Sequence, residues 1–131
     1  MSIKFRNVKS NWEFIVWYLI DQCLRDGKDR RFTRAQIMRK NYKEIYLILI
    51  ALGHKKRPEH PEETIQKTLQ NMRDKNWIRF LGQGDYELTE EGYKELKRNK
   101  DNIQIAKSFT PEESNMLVLL MERLYGKSSS K

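Results

Sequence analysis

The most constraining feature of this 131-residue chain lies between Pro61 and Gly92, where a helical pattern runs straight into a glycine-turned hairpin. Pro61 suits the first turn of a helix, and Glu62 and Glu63 suit its positive end. Ile65, Leu69 and Met72 recur at i, i+4, i+7 and form one apolar stripe. Glu63, Lys67, Gln70 and Asp74 occupy the opposite face. The helix is expected to stop near Lys75-Asn76, because Asn tolerates the left-handed conformation. Trp77 to Leu81 then reads as a strand, Gly82-Gln83-Gly84-Asp85 as a turn, and Tyr86-Glu87-Leu88 as the returning strand. Thr89-Glu90-Glu91-Gly92 caps a short helix through about Arg98.

The segments on either side complete a single domain. A first helix is expected from Ser10 or Asn11, with Ser10 and Glu13 in capping-box spacing and Asp26-Gly27 closing it. Phe14 to Leu24 leave this helix little polar surface, so it is buried on most sides. Thr33 with Gln36 predicts a second helix, with Ala35, Ile37 and Met38 facing inward. Ile45 to Leu52 is a further apolar helical run closed by Gly53; it either extends the second helix or is an insertion after it. Asn99 to Lys107 reads as a polar linker. Thr110-Pro111-Glu112-Glu113 starts a last helix carrying Met116, Leu117, Leu120, Met121 and Leu124. Gly126 ends it, before a serine-rich tail.

Grouped in this way, the order helix, helix, helix, hairpin, helix is the layout of a winged helix. The expected fold class is therefore mainly α with a small antiparallel β-hairpin. Residues 1–98 form the winged helix-turn-helix, and 99–131 a linker and C-terminal helix. That last helix either packs on the domain, against the first helix, or makes a homodimer contact through residues 110–125. In a winged helix the third helix enters the DNA major groove and the hairpin, or wing, lies on the backbone or minor groove.

The charge distribution points the same way. Residues 25–57 hold eleven Lys/Arg against three Asp/Glu, a net +8, while the rest of the chain is neutral. Arg30-Arg31, Arg34, Arg39-Lys40, Lys43 and Lys55-Lys56-Arg57 make up most of the excess. A local basic surface favours a polyanion partner, nucleic acid first; the alternative is a solvated face. Lys55, Lys56 and Arg57 would anchor phosphates near the N-terminus of the 61–75 helix. Lys67 would reach guanine or phosphate, and Gln70 adenine N6/N7. Glu63 on the same face repels phosphate unless it accepts from cytosine N4. Arg79 and Gln83 sit on the wing. His60, like His54, is either a loop hydrogen-bonding residue or a DNA contact.

These residues carry two resemblances. Tyr86-Glu87-Leu88-Thr89-Glu90-Glu91-Gly92-Tyr93 resembles the wing-to-helix segment of many prokaryotic winged-helix regulators, which supports the fold. Ile65-Gln66, Leu69 to Lys75 and Ile78 to Tyr86 are similar to the C-terminal winged-helix domain of methyl-directed GATC restriction endonucleases. That likeness covers roughly residues 32–88 and implies recognition of N6-methyladenine in duplex DNA. Asn76 stands where that family usually has Gly, and the nuclease domain has no counterpart here, so cleavage is not implied. The function expected is double-stranded DNA binding, with adenine-methylated DNA as the specific ligand. The alternatives are a small dimeric transcriptional regulator and a protein-interaction module.

Other classes are disfavoured. No Gly-rich phosphate loop opens a helix, and no Ser/His/Asp or Cys/His arrangement can be placed, so no catalytic residue and no cofactor is expected. Cys23 is the only cysteine, which excludes an intrachain disulfide and a cysteine-based metal site; it reads as a buried small hydrophobe. His54 and His60 lack further ligands of suitable geometry, so no metal is expected. Trp12, Trp17 and Trp77 read as core, with an aromatic cage for a methylated base as the alternative. No apolar run is long enough to span a bilayer, and the N-terminus lacks a secretory h-region. A cytoplasmic location is expected, nucleoid-associated in a prokaryote or nuclear in a eukaryote.

Overall fold

The computed structural model describes residues 5–24, 30–38, 42–109 and 111–126. Among them, seven helices and three strands succeed one another as α1 (Asn11–Cys23), β1 (Arg31–Thr33), α2 (Arg34–Met38), α3 (Tyr42–Ala51), α4 (Pro61–Asp74), β2 (Ile78–Gly82), β3 (Asp85–Leu88), α5 (Glu90–Arg98), α6 (Lys100–Lys107) and α7 (Pro111–Tyr125). The expected Asp26-Gly27 cap, the Arg39-Lys40 pair, the Thr110 cap and the serine-rich tail lie outside the described residues.

The architecture is mainly helical with a small antiparallel sheet, as expected from the sequence. The sheet has three strands in the order β1-β3-β2, not the two of an isolated hairpin. Residues 31–33, expected only as the entry to a helix, pair with β3, placing Phe32 opposite Tyr86. The two rings stack with centroids 5.5 Å apart. Three residues are too few to carry a period-2 signal, and the partner strand lies over fifty residues downstream. Thr33 still performs its capping role: its hydroxyl accepts from the Gln36 amide (3.0 Å), and Gln36 Oε1 accepts from the Thr33 amide (2.8 Å). Helix α2 is so short that only Ile37 is buried; Ala35, expected inward, is exposed.

Helix α1 forms the centre of the main core. Its residues Phe14 to Asp21 are all buried, and Ser10 caps it through the Glu13 amide. The helix ends at Cys23, which is half-buried and not fully enclosed. Helix α4 packs its stripe of Ile65, Leu69 and Met72 into the same core. Trp17 is enclosed there with Trp77 beside it (5.8 Å between rings), so these tryptophans are packing residues; Trp12 and Trp77 are half-buried at the core edge.

Residues 100–107 are a helix, not part of a linker. Ile103 and Ala106 belong to the main core. The polar side chains that give this stretch its solvated look are specifically matched. Buried Asn102 donates to the Arg6 carbonyl (2.7 Å) and accepts from the Arg6 amide (2.8 Å), pinning the chain before α1. Lys100 and Lys107 both reach Asp21 of α1 at 2.7 Å. Burial pushes the Asp21 carboxyl up, but the two ammonium donors outweigh it and hold it below the usual carboxylate range.

Helix α7 does not rest on α1. Leu117, Met121 and Tyr125 pack with Ile50 of α3 in a separate, smaller cluster. Burial raises the Tyr125 phenol to about 12, so it stays neutral at physiological pH. Its oxygen lies 3.1 Å from His54 Nδ1, tying α7 to the loop after α3.

Candidate nucleic-acid interface

The geometry of α4 is fixed by the turn and hairpin immediately downstream. Asn76 adopts φ +64°, the left-handed conformation that lets the chain turn from helix into β2. At the tip of the hairpin, Gly82, Gln83 and Gly84 all have positive φ, which two glycines make accessible. After β3, the Thr89 hydroxyl donates back to the Asn76 carbonyl (2.6 Å) and accepts from the Gly92 amide (3.0 Å). Gly92 sits against the backbone of Trp77: a Cβ there would lie 1.8 Å from the Trp77 carbonyl oxygen. The Thr-x-x-Gly spacing is therefore a joint that locks the start of α5 onto the turn between α4 and β2.

With its inner stripe buried, α4 presents Glu63, Lys67, Gln70 and Asp74 to solvent, as the periodicity required. Gln70 Nε2 donates to Asp74 Oδ1 at 3.2 Å, which leaves its carbonyl oxygen and one N–H available. A groove open to solvent runs between α4 and α2, lined by Arg34, Met38, Glu62, Glu63, Gln66, Lys67 and Gln70. Arg34 spans it, donating to Gln66 Oε1 at 3.0 Å. The groove combines cations, two amides and the Met38 thioether in one concave strip. Sequence reasoning does not single out Arg34 or Met38 as contacts, because only the fold brings α2 beside Lys67 and Gln70; Gln66 lies on α4 itself, one residue before Lys67.

Two sets of cations flank this face, and they differ in how they are held. Lys55, Lys56 and Arg57 are exposed in the loop entering α4, and among the described residues none of the three has a carboxylate partner. Arg57 lies over the Tyr46 ring at 5.8 Å, which orients it without cancelling its charge. His60 is exposed at the N-cap of α4 and makes no side-chain cap bond. On the wing, Arg79 lies 2.5 Å from Glu87, and Arg31 lies 3.7 Å from the same carboxylate. The Arg79 hydrogen bond is the main reason the Glu87 carboxyl sits below its ordinary value. Arg30 is likewise paired, with Glu90 at 2.9 Å. Arg30 and Arg31, part of the basic excess read from sequence, are therefore paired with carboxylates, whereas among the described residues Lys55, Lys56 and Arg57 are not. Gln83 is exposed at the wing tip. Behind it, Phe80 and Leu81 are 46% and 44% exposed, and the Arg73 guanidinium lies 5.8 Å above the Phe80 ring.

Of the residues expected to contact DNA, the groove holds Lys67 and Gln70; Lys55 to His60 lie in the loop that enters α4, and Arg79 and Gln83 on the hairpin that follows it. His54 is taken up by Tyr125, and no group of three or more potential metal-ligating side chains occurs among the described residues. No helix is long and apolar enough among them to cross a membrane. Compared with family models, with curated proteins and with solved structures, the chain matches none.

Proposed function

We propose that this chain is a double-stranded DNA-binding module of the winged-helix type, with α4 as the recognition helix. One observation carries the reading. Helix α4 leads directly into the β2–β3 hairpin, shares a groove with α2, and turns a polar, hydrogen-bonding face outward. The sheet order β1-β3-β2 supports it, because β1 between α1 and α2 is the strand that a winged helix adds to its hairpin. Helix α3 is then an insertion between the second and third helices of that layout. The loop cations at 55–57 supply sequence-independent attraction to phosphate. Gln70 and Lys67 supply base-edge contacts.

The finer reading is recognition of adenine-methylated DNA, the ligand implied by the resemblance of residues 65–86 to methyl-reading domains. Methylation at N6 replaces a major-groove hydrogen-bond donor with a methyl group. The Met38 thioether in the α2–α4 groove offers that methyl an apolar contact beside the amides of Gln66 and Gln70.

The test is a titration of unmethylated and N6-methyladenine duplexes, GATC sites included, at two salt concentrations. Salt-sensitive binding is expected, with at least about tenfold preference for the methylated duplex, or about 1.4 kcal/mol. Equal binding of both would retain the DNA module and remove the methyl reading. Combined Lys55→Glu, Lys56→Glu and Arg57→Glu should weaken binding and lower the salt slope by about 0.9 per lost phosphate contact. An unchanged affinity and slope would rule out the docking.

A further inference from the structure

Helix α7 has apolar residues on two opposite sides, and only one side is used by the fold. Leu117, Met121 and Tyr125 face α3. At 100° per residue, Glu112, Met116, Leu119 and Arg123 share a second stripe about 170° away. All four are exposed; Leu119 is 64% and Met116 47% exposed, among the most exposed large apolar side chains described. Their intervals are four, three and four residues, the seam spacing of a two-helix coiled coil.

This seam has the symmetry of its own partner. About a two-fold axis crossing the helix between Leu117 and Val118, an antiparallel copy sets Met116 against the second copy's Leu119 position, and Leu119 against its Met116 position. The same operation sets Glu112 against the Arg123 position of the second copy, and Arg123 against its Glu112 position. The result is an apolar centre closed at each end by an opposite-charge pair, the self-complementary pattern of an isologous contact. A parallel pairing would set Glu112 on Glu112 and Arg123 on Arg123, so the charges reject it. Neither Glu112 nor Arg123 has an ion-pair partner within its own chain among the described residues.

We infer that the outer face of α7 is a docking surface for a second copy of this chain, seated antiparallel with Met116 and Leu119 at its centre. The surface lies on another helix than the proposed DNA contacts and stands whether or not the chain binds DNA. Three helical turns bury less than a standard protein interface, which puts the contact in the weak class and makes the dimer depend on concentration. Tethering two copies on one duplex would raise its occupancy.

Sedimentation velocity of the full chain over a hundredfold concentration range tests the inference. A concentration-dependent dimer is expected, and Leu119→Asp should abolish it with unchanged helical circular dichroism. Glu112→Arg alone and Arg123→Glu alone should each weaken it at least tenfold. An equimolar mixture of those two variants should dimerise again, because each supplies the charge the other lost, and so should the double variant Glu112→Arg/Arg123→Glu. A chain that stays monomeric throughout would overturn the proposal. So would a dimer that the single reversals leave unchanged, or one that the mixture fails to restore.

Discussion

Helices α4 and α7 begin alike and finish differently. Each opens with proline at its first position and two glutamates in its first turn, and each buries one stripe. The inner stripe of α4 enters the main core beside α1, whereas that of α7 joins Ile50 of α3 in a separate cluster of four buried residues. The outer face of α4 is polar and flanked by loop cations; that of α7 is apolar at its centre and charged at both ends. An inner face decides how much of the fold depends on a helix. An outer face decides what kind of surface the helix can meet: a hydrated polyanion in one case, a matching helix in the other.

The largest expected effect strikes the joint that positions α4. Gly92→Ala places a methyl group within the Trp77 backbone, so either α5 or the β2 turn must shift. A loss of about 4 kcal/mol is expected from urea unfolding. A loss below about 1 kcal/mol would mean that the joint is more yielding than its contact distance implies. Leu117→Ala probes the other side of the comparison. It should cost about 3 kcal/mol through the cavity it leaves. Hydrogen exchange should then speed in α7 while the α1 and α4 amides keep their relative protection. Uniform acceleration would show that the small cluster and the main core unfold as one.

Asp21→Asn tests how α6 is attached to α1, with an expected cost of about 2 kcal/mol at neutral pH from its two charge-assisted hydrogen bonds. The folded Asp21 pKa lies below its unfolded value, so this stabilisation is present above the unfolded pKa near 3.8 and is lost as pH falls through the folded value. The gap between wild type and variant should therefore narrow on acidification; a constant gap would assign the effect to packing. The smallest effect concerns the wing. Glu87→Gln removes the carboxylate partner of Arg79, and non-specific DNA binding should gain about 0.9 in salt slope as that guanidinium reaches a phosphate. No gain would place the wing away from the backbone.

Much of the candidate site was legible because its signals are local. The α4 stripe, its proline start, its Asn stop and the glycine hairpin each depend on residues a few positions apart. The outward placement of Glu63, Lys67, Gln70 and Asp74 comes from the same 3.6-residue period. The groove partners Arg34 and Met38 were not legible, because they stand about twenty-five residues before α4 and meet it only in the folded chain. Arg79 and Arg31 read as free charge until the sheet set both against Glu87.

What the sequence alone determined is where most of the helices begin and end, which stripes are apolar, and where the positive charge concentrates, since capping, periodicity and composition act within a few residues of the chain. Only the tertiary structure decided that Arg31–Thr33 is a strand, that 100–107 is a helix fastened through Asp21, and that α7 lies on α3. Those outcomes depend on partners far away in sequence: Tyr86 for Phe32, Asp21 for Lys100 and Lys107, and Ile50 for Leu117. A buried polar side chain or a three-residue strand carries no signature of its own. It acquires a structure only when the fold supplies the group that satisfies it.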